Sequence, residues 1–322
     1  MKTVFISLTA AVGLLAGCAD AGATPSAPSG SAVSITNCGA TVAVKSPPRR
    51  AIAMEQNATE ILLSLGLSDR MAGTSYQTDP VLPSLKTAYD SVPVLAKLYP
   101  SREKVLEARP DFVYSTFTSA YAGEAAGPRQ DLAKLDVPAY LSRFACEKDP
   151  AAFAFDGLFG EIEEVATLFG VPERGRDLVA GERTRLEAAM KTKHDGTSLL
   201  WYYSGTSTPN VAGPGGVPAA ITEQLGAENV YGDAQQTWPA GSWEQIAARD
   251  PDVIVLADLT RGGDGDSAQS KIDYLRSNPV TAKLSAVKAG RFITVPGSSM
   301  DPSVRSVSAV EAVGAGLKEL GR

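Results

Sequence analysis

Two stretches of this chain are built to one plan. Ser101–Ser115 reads SREKVLEARPDFVYS, and Ser242–Asp258 reads SWEQIAARDPDVIVLAD. Each opens with Ser-x-Glu, passes through an apolar helical turn to Ala-Arg, breaks at Pro-Asp and ends in an apolar run. Serine is a favoured helix N-cap, an early acid suits the positive end of the helix dipole, and proline stops the helix. The closing runs have no alternation, which marks strands covered on both faces. Between the repeats lies Ala151–Gly170, AAFAFDGLFGEIEEVATLFG. Its Phe155, Leu158, Phe159, Ile162, Val165, Ala166 and Phe169 form one apolar stripe at helical spacing. That pattern predicts a helix of roughly 19 residues and about 28 Å. The expected fold class is therefore α/β: two lobes with parallel-rich central sheets, residues 33–150 and 171–322, joined by a rigid connecting helix over 151–170.

Other segments fit this frame. VSITNCGATVAV (Val33–Val44) alternates around Asn37-Cys38-Gly39 as a β-hairpin does. Further strands are expected at Arg50–Met54, Arg70–Ser75, Val137–Leu141, Ser198–Tyr203 and Phe292–Val295. Helices are expected at Ile61–Leu65, Leu132–Leu135, Arg176–Met190, Val217–Leu225, Ile272–Arg276 and Val304–Leu320.

The N-terminus carries an address. After Lys2 an apolar run of about 13 residues is too short to span a bilayer and reads as a secretory signal peptide over residues 1–17. It ends in Leu15-Ala16-Gly17-Cys18, which resembles a bacterial lipobox. That motif makes Cys18 the lipidated first mature residue, on a flexible Ala/Gly/Ser/Thr/Pro tether reaching residue 32. The expected location is outside the cytoplasm, held to the cell membrane only by lipid. Cys38 and Cys146 remain, and in an oxidising compartment an even remainder suggests a disulfide, with two buried thiols as the alternative. A net charge of −6 offers no basic footprint for nucleic acid. His194 is the only histidine. It sits in a polar Lys-Thr-Lys-His-Asp-Gly segment where a solvated side chain is expected. No directly bound metal and no cofactor are expected on that count.

Arg50–Arg70, RAIAMEQNATEILLSLGLSDR, resembles the opening of the iron-siderophore and vitamin B12 class of ABC-transporter substrate-binding proteins. The two repeats resemble later landmarks of that family, and the likeness runs from about Thr36 to Leu320. The resemblance implies two Rossmann-like lobes on one long helix, a ligand in the cleft between them, and no catalysis. It implies a monomer that hands its ligand to an ABC permease dimer with its ATPase. Glu103 and Glu244, at the Ser-x-Glu positions, would be one docking carboxylate per lobe. Alternatively, each is only an early-turn acid suited to the helix dipole. The implied ligand is a metal chelate, a ferric siderophore first, with cobalamin, haem or a deazaflavin-cofactor precursor as alternatives.

Open parallel sheets bind ligands at the loops leaving the carboxyl ends of their strands. Those loops offer Glu55, Gln56, Tyr76, Gln77, Tyr99, Thr116, Phe117, Thr118, Tyr121, Arg143 and Phe144 in the first half. In the second half they offer Tyr203, Ser204, Asn210, Trp238, Trp243, Arg261, Met300 and Arg305. Aromatics beside arginines suit a large, partly apolar ligand with acidic or chelate oxygens. Trp201 reads as core. Ser204–Gly216 lacks the endings of phosphate-binding loops, and Gly262–Asp266 lacks the glutamate of a calcium loop. No Gly-x-Ser-x-Gly elbow supports the competing class, an exported α/β hydrolase. A sensor without an importer is a third reading.

Overall fold

The computed structural model describes residues 1–3, 32–146 and 152–322. Cys18, most of the tether and the first residue of the expected connecting helix lie outside them. Two parallel sheets form the cores of two lobes. The N-lobe sheet has five strands in the order Val94–Ala96, Met71–Ser75, Ala51–Ala53, Phe112–Ser115, Ala139–Leu141, all parallel. In the C-lobe the order is Glu228–Asn229, Ser198–Ser204, Val253–Asp258, Phe292–Pro296, also parallel, with Asn210–Val211 added antiparallel to Ser198–Ser204. In each sheet the chain first builds to one side and then returns to the other. The N-lobe reversal falls between Ala51–Ala53 and Phe112–Ser115, and the C-lobe reversal between Ser198–Ser204 and Val253–Asp258. Such reversal points leave a crevice at the strand ends.

Both repeats fold as read. Arg102–Glu107 and Trp243–Arg249 are short helices whose N-caps, Ser101 and Ser242, accept hydrogen bonds of 3.4 Å from Lys104 N and Gln245 N. The strand after each is completely buried over Phe112–Ser115 and Val253–Ala257, so the absence of alternation was a reliable sign. The hairpin pairs Val33–Asn37 with Ala40–Val44 antiparallel, and Cys38 and Gly39 take positive φ of 50° and 74° at its turn. Cys38 is disulfide-bonded to Cys146, with Cα atoms 5.2 Å apart, which fastens the hairpin to the end of the last N-lobe strand.

The connection between the lobes differs from expectation. The stripe helix spans Phe155–Leu168, 14 residues. Ala152–Ala154 stays non-helical, and Phe153 N donates to Gly215 O of the C-lobe at 2.8 Å. The helix stops at Gly170, φ 67°, with Val171 N bonded to Ala166 O and Gly170 N to Thr167 O, a Schellman ending that needs the left-handed glycine. Its N-lobe face is fixed by buried Glu161, which accepts from Tyr114 Oη at 2.9 Å and Ser142 Oγ at 2.8 Å. The longer crossing is made by the next helix, Pro172–Ala189, 18 residues and about 27 Å. It begins ahead of the expected Arg176 because Pro172 is well suited to a first helical turn. Arg174 near its start bonds the N-lobe carbonyls of Leu65 and Gly66, at 3.2 and 3.0 Å. Arg185 near its end bonds Glu311 and Ser308 of the C-lobe helix Ser306–Glu319. The two helices meet closely at Gly175, where a Cβ would lie 2.6 Å from that of Ala166. The connector is thus a helix pair.

Trp201 is fully buried, its indole donating to Thr222 Oγ1 at 2.8 Å. His194 is buried rather than solvated: its amide donates to Leu225 O, and Nδ1 lies 2.7 Å from Arg322 O. The helix end carries it under the C-terminus, which its polar neighbours did not reveal.

Candidate functional site: the interlobe cleft

The two reversal points face each other across the lobes. In the N-lobe, Glu55 follows the strand Ala51–Ala53 and turns back onto the neighbouring strand end. Its carboxyl accepts from Ser115 Oγ at 2.8 Å, from Thr116 Oγ1 at 3.0 Å and from Thr116 N. Only 3% of Glu55 is exposed, and burial pushes its pKa up to about 7 against those hydrogen bonds. Gln56 next to it accepts from the amides of Thr78 and Asp79, at 3.0 and 2.8 Å, and so fixes the loop that follows Met71–Ser75. Tyr76 begins that loop with φ 48°, an uncommon conformation for a tyrosine, and its ring meets Tyr99 edge-on at 4.8 Å. Such strain is typical of sites where a side chain must be aimed.

The C-lobe crevice holds Tyr203 at the end of Ser198–Ser204 and Arg261 in the loop after Val253–Asp258. The Tyr203 ring packs 5.2 Å from Trp238, and the Arg261 guanidinium lies 5.5 Å from the Tyr203 centroid. Arg261 Nη2 donates to Asp266 Oδ1 at 2.8 Å. Between the two crevices opens a cavity of about 400 Å³. It brings together Glu55, Gln56, Tyr76, Tyr99, Phe117, Tyr203, Asn210, Trp238 and Arg261 from the expected set. Met300 lines an adjoining space of about 380 Å³ that shares Phe117, Trp238 and Asp301 with the first. Each lobe therefore contributes one aromatic pair to a common cleft.

Four expected residues are elsewhere. Tyr121 belongs to the N-lobe core: its hydroxyl lies 2.6 Å from Tyr140 O, and a turn over Thr118–Tyr121 rotates it inward. It reaches instead a recess beside the disulfide, about 760 Å³, that shares no lining residue with the cleft. Arg143 lies against the connector, its aliphatic stem 3.9 Å from where Gly157 would place a Cβ and its guanidinium 3.5 Å from Glu164. Arg305 is consumed by a buried two-pronged ion pair with Glu60 of the N-lobe helix Gln56–Ser64, Nε to Oε2 at 2.7 Å and Nη2 to Oε1 at 2.5 Å. Trp243 is also core, its indole donating to Thr206 O at 2.6 Å. Conversely, Asn57, Thr78, Ser119, Ser298 and Asp301 line the cleft and were not singled out. Asp301 follows Phe292–Pro296 through the turn Gly297–Met300, so the strand-end rule that flagged Met300 reached one residue short. Burial, with Asp79 nearby, raises the Asp301 carboxyl to about 7.

The ion pair is part of a longer seam. Asp79 Oδ2 accepts from Ser298 N at 2.7 Å, Asn57 Nδ2 donates to Pro302 O at 3.2 Å, and Arg305 also donates to Pro80 O at 2.7 Å. The lobes are thus bonded directly beside the cavity as well as through the helix pair.

Glu103 and Glu244 occupy equivalent, exposed positions, each the second residue of its Ser-capped helix. Hydrogen bonding lowers both carboxyl pKa values, from the helix-start amide first at Glu103 and from the Ser242 hydroxyl first at Glu244. Both stay ionised at neutral pH. Among the described residues no helix is long and apolar enough to cross a membrane, and no group of three or more His, Cys, Asp or Glu is placed to hold a metal.

Residues 52–298 match the family described as periplasmic binding protein. A vitamin B12-binding protein of Vibrio parahaemolyticus is 27% identical over 241 residues, 73% of this chain and 80% of the relative. The crystal structure of a periplasmic binding protein from Veillonella parvula superposes with TM-score 0.78 at 31% identity, covering 88% of this chain and 97% of that one. An ABC-type Fe3+-hydroxamate transport protein from Saccharomonospora viridis shares the fold with TM-score 0.75 at 23% identity, covering 88% of this chain and 98% of that one.

Proposed function

Because this chain belongs to the periplasmic binding protein family, we propose that it is the receptor of an ABC importer for a coordinatively complete metal chelate, a ferric siderophore or a corrinoid. The observation that carries the reading is the cleft itself, with Tyr76 and Tyr99 from one lobe and Tyr203 and Trp238 from the other on a common cavity. Flat aromatic faces from both sides suit a large, partly apolar ligand. The Vibrio relatives are vitamin B12-binding proteins, which supports the corrinoid arm of the proposal.

Haem is the less favoured cargo. His194 lies under the C-terminus, away from the cavity, so an axial bond to haem iron would fall to a tyrosine. Burial raises the phenols of Tyr99 and Tyr203, which opposes the phenolate that iron prefers. A siderophore or corrinoid brings its own ligands and asks for none. Residues 1–17 would direct export and Cys18 would carry the lipid, leaving the lobes to reach a permease through Glu103 and Glu244.

The test pairs binding with transport. Cyanocobalamin or a ferric trihydroxamate should quench tryptophan fluorescence saturably, and Trp238→Phe should remove most of that quench. Glu103→Ala with Glu244→Ala should leave affinity and folding intact and abolish uptake by the importer. Saturable binding with uptake unchanged would sink the docking role. No binding by a folded protein would sink the ligand class.

A further inference from the structure

We propose that the cleft is charge-selective, accepting metal chelates that are neutral or cationic and rejecting polyanionic ones. The inference rests on the receptor reading above and narrows its ligand.

The arginines that could have held an anion are already engaged. Arg305 is buried against Glu60, and Arg143 sits outside the cleft beside Glu164. Arg261 is, among the described residues, the one lysine or arginine lining either cavity, and its guanidinium is neutralised by Asp266 at 2.8 Å. The guanidinium also lies 5.5 Å from the centroid of the Tyr203 ring.

The acids are in the opposite situation. Glu55 and Asp301 both line the cavity. The hydrogen bonds to the Glu55 carboxyl come from two hydroxyls and one amide, none of them charged. No hydrogen bond or ion pair among the described residues engages the Asp301 carboxyl. Asp79 stands close enough to raise it further, and among the described residues the only cation acting against that is Arg261, whose guanidinium is already paired with Asp266. Above pH 7, where both carboxyls ionise, a ligand with three negative charges would leave water to meet them with no unpaired cation to receive it. Desolvated charge without a partner is costly, and like charges at interface distances are a device for excluding the wrong partner. A neutral or cationic chelate meets the same acids without that cost, and the faces of Tyr76, Tyr203 and Trp238 favour a cation over an anion.

Quenching titrations at fixed ionic strength and at a pH above 7, where Glu55 and Asp301 are ionised, test this with four probes: cyanocobalamin, a neutral and a cationic ferric trihydroxamate, and a trianionic ferric tris-catecholate. At least one of the first three should bind, with the tris-catecholate weaker by about tenfold or more. Asp301→Asn should strengthen the tris-catecholate about threefold, and Asp266→Asn, which releases Arg261, should strengthen it further. Tightest binding of the tris-catecholate, or a gap that neither variant moves, overturns the charge selection while the receptor reading survives. No binding of any probe, by protein that still unfolds cooperatively, overturns both.

Discussion

The two lobes start from nearly the same sequence unit and arrive at opposite chemistry. Ser101 and Ser242 cap equivalent helices, and Phe112–Ser115 and Val253–Asp258 are equivalent neighbours of a chain reversal. At the N-lobe reversal stands an acid held by hydroxyls, Glu55 on Ser115 and Thr116. The C-lobe reversal instead has a cation held by a carboxylate, Arg261 donating to Asp266. The lobes also close differently. The N-lobe is stapled by Cys38–Cys146, whereas the C-lobe is tied by Arg185 of the connector to its last helix. A repeated helix–strand unit therefore sets the frame, and the short loops after the strands decide what each lobe presents to a ligand.

The sharpest way to break this comparison is where the lobes share a charge pair. Glu60→Ala should cost about 3–5 kcal/mol in urea unfolding, because it strands the buried Arg305 guanidinium. Glu60→Leu with Arg305→Met should cost far less, since both charges go together. Equal losses in the single and paired variants would show that the pair is exposed in solution. Next comes the staple. Cys38→Ser with Cys146→Ser opens a link across 108 residues and should remove about 2–5 kcal/mol. Hydrogen exchange should quicken at Phe112–Ser115 and Ala139–Leu141 and barely change at Val253–Asp258; loss of protection in both lobes alike would mean that the lobes unfold as one body.

The smallest effect is the share of the pH dependence that the N-lobe acid contributes, beside that of the raised Asp301 carboxyl in the C-lobe. Burial raises Glu55 from 4.5 to about 7, so the folded protein keeps a proton that the unfolded chain releases in that interval. The stability due to this group is complete below pH 4.5 and is lost as pH rises to about 7. Relative to Glu55→Gln, the wild type should lose on the order of 2–3 kcal/mol across that range. Parallel stability–pH curves for the two proteins would refute the shift.

Much of this was legible in the sequence, for physical reasons. Buried parallel strands are continuous apolar runs, so Phe112–Ser115 and Val253–Ala257 declared themselves. Loops that leave strand ends must face the crevice, which is why Gln56, Tyr76, Tyr203 and Arg261 converge. Sequence identifies such a loop but not the direction of each side chain within it. Tyr121 turns inward, and Arg305 finds Glu60, which is 245 residues away in the chain. The connector was misjudged on similar grounds: periodicity marks a stripe, whereas Ala152–Ala154 follows a backbone bond to Gly215 that no periodicity encodes.

The contact at Gly175 has a mechanical consequence. Two helices pressed together along their length bend like a laminated beam rather than a rod, and close-packed interiors yield little under load. With Ala166 filling the space a β-carbon at Gly175 would need, the laminate has no slack for one face to slide on the other. The soft deformation left to the molecule is a slight twist about the beam's own axis. Cargo must then come and go past loops such as those at Tyr76 and Tyr203, with the frame held still. Exchange should run at the pace of loop motion, and a Gly175→Ala wedge should alter it without touching a single cleft residue.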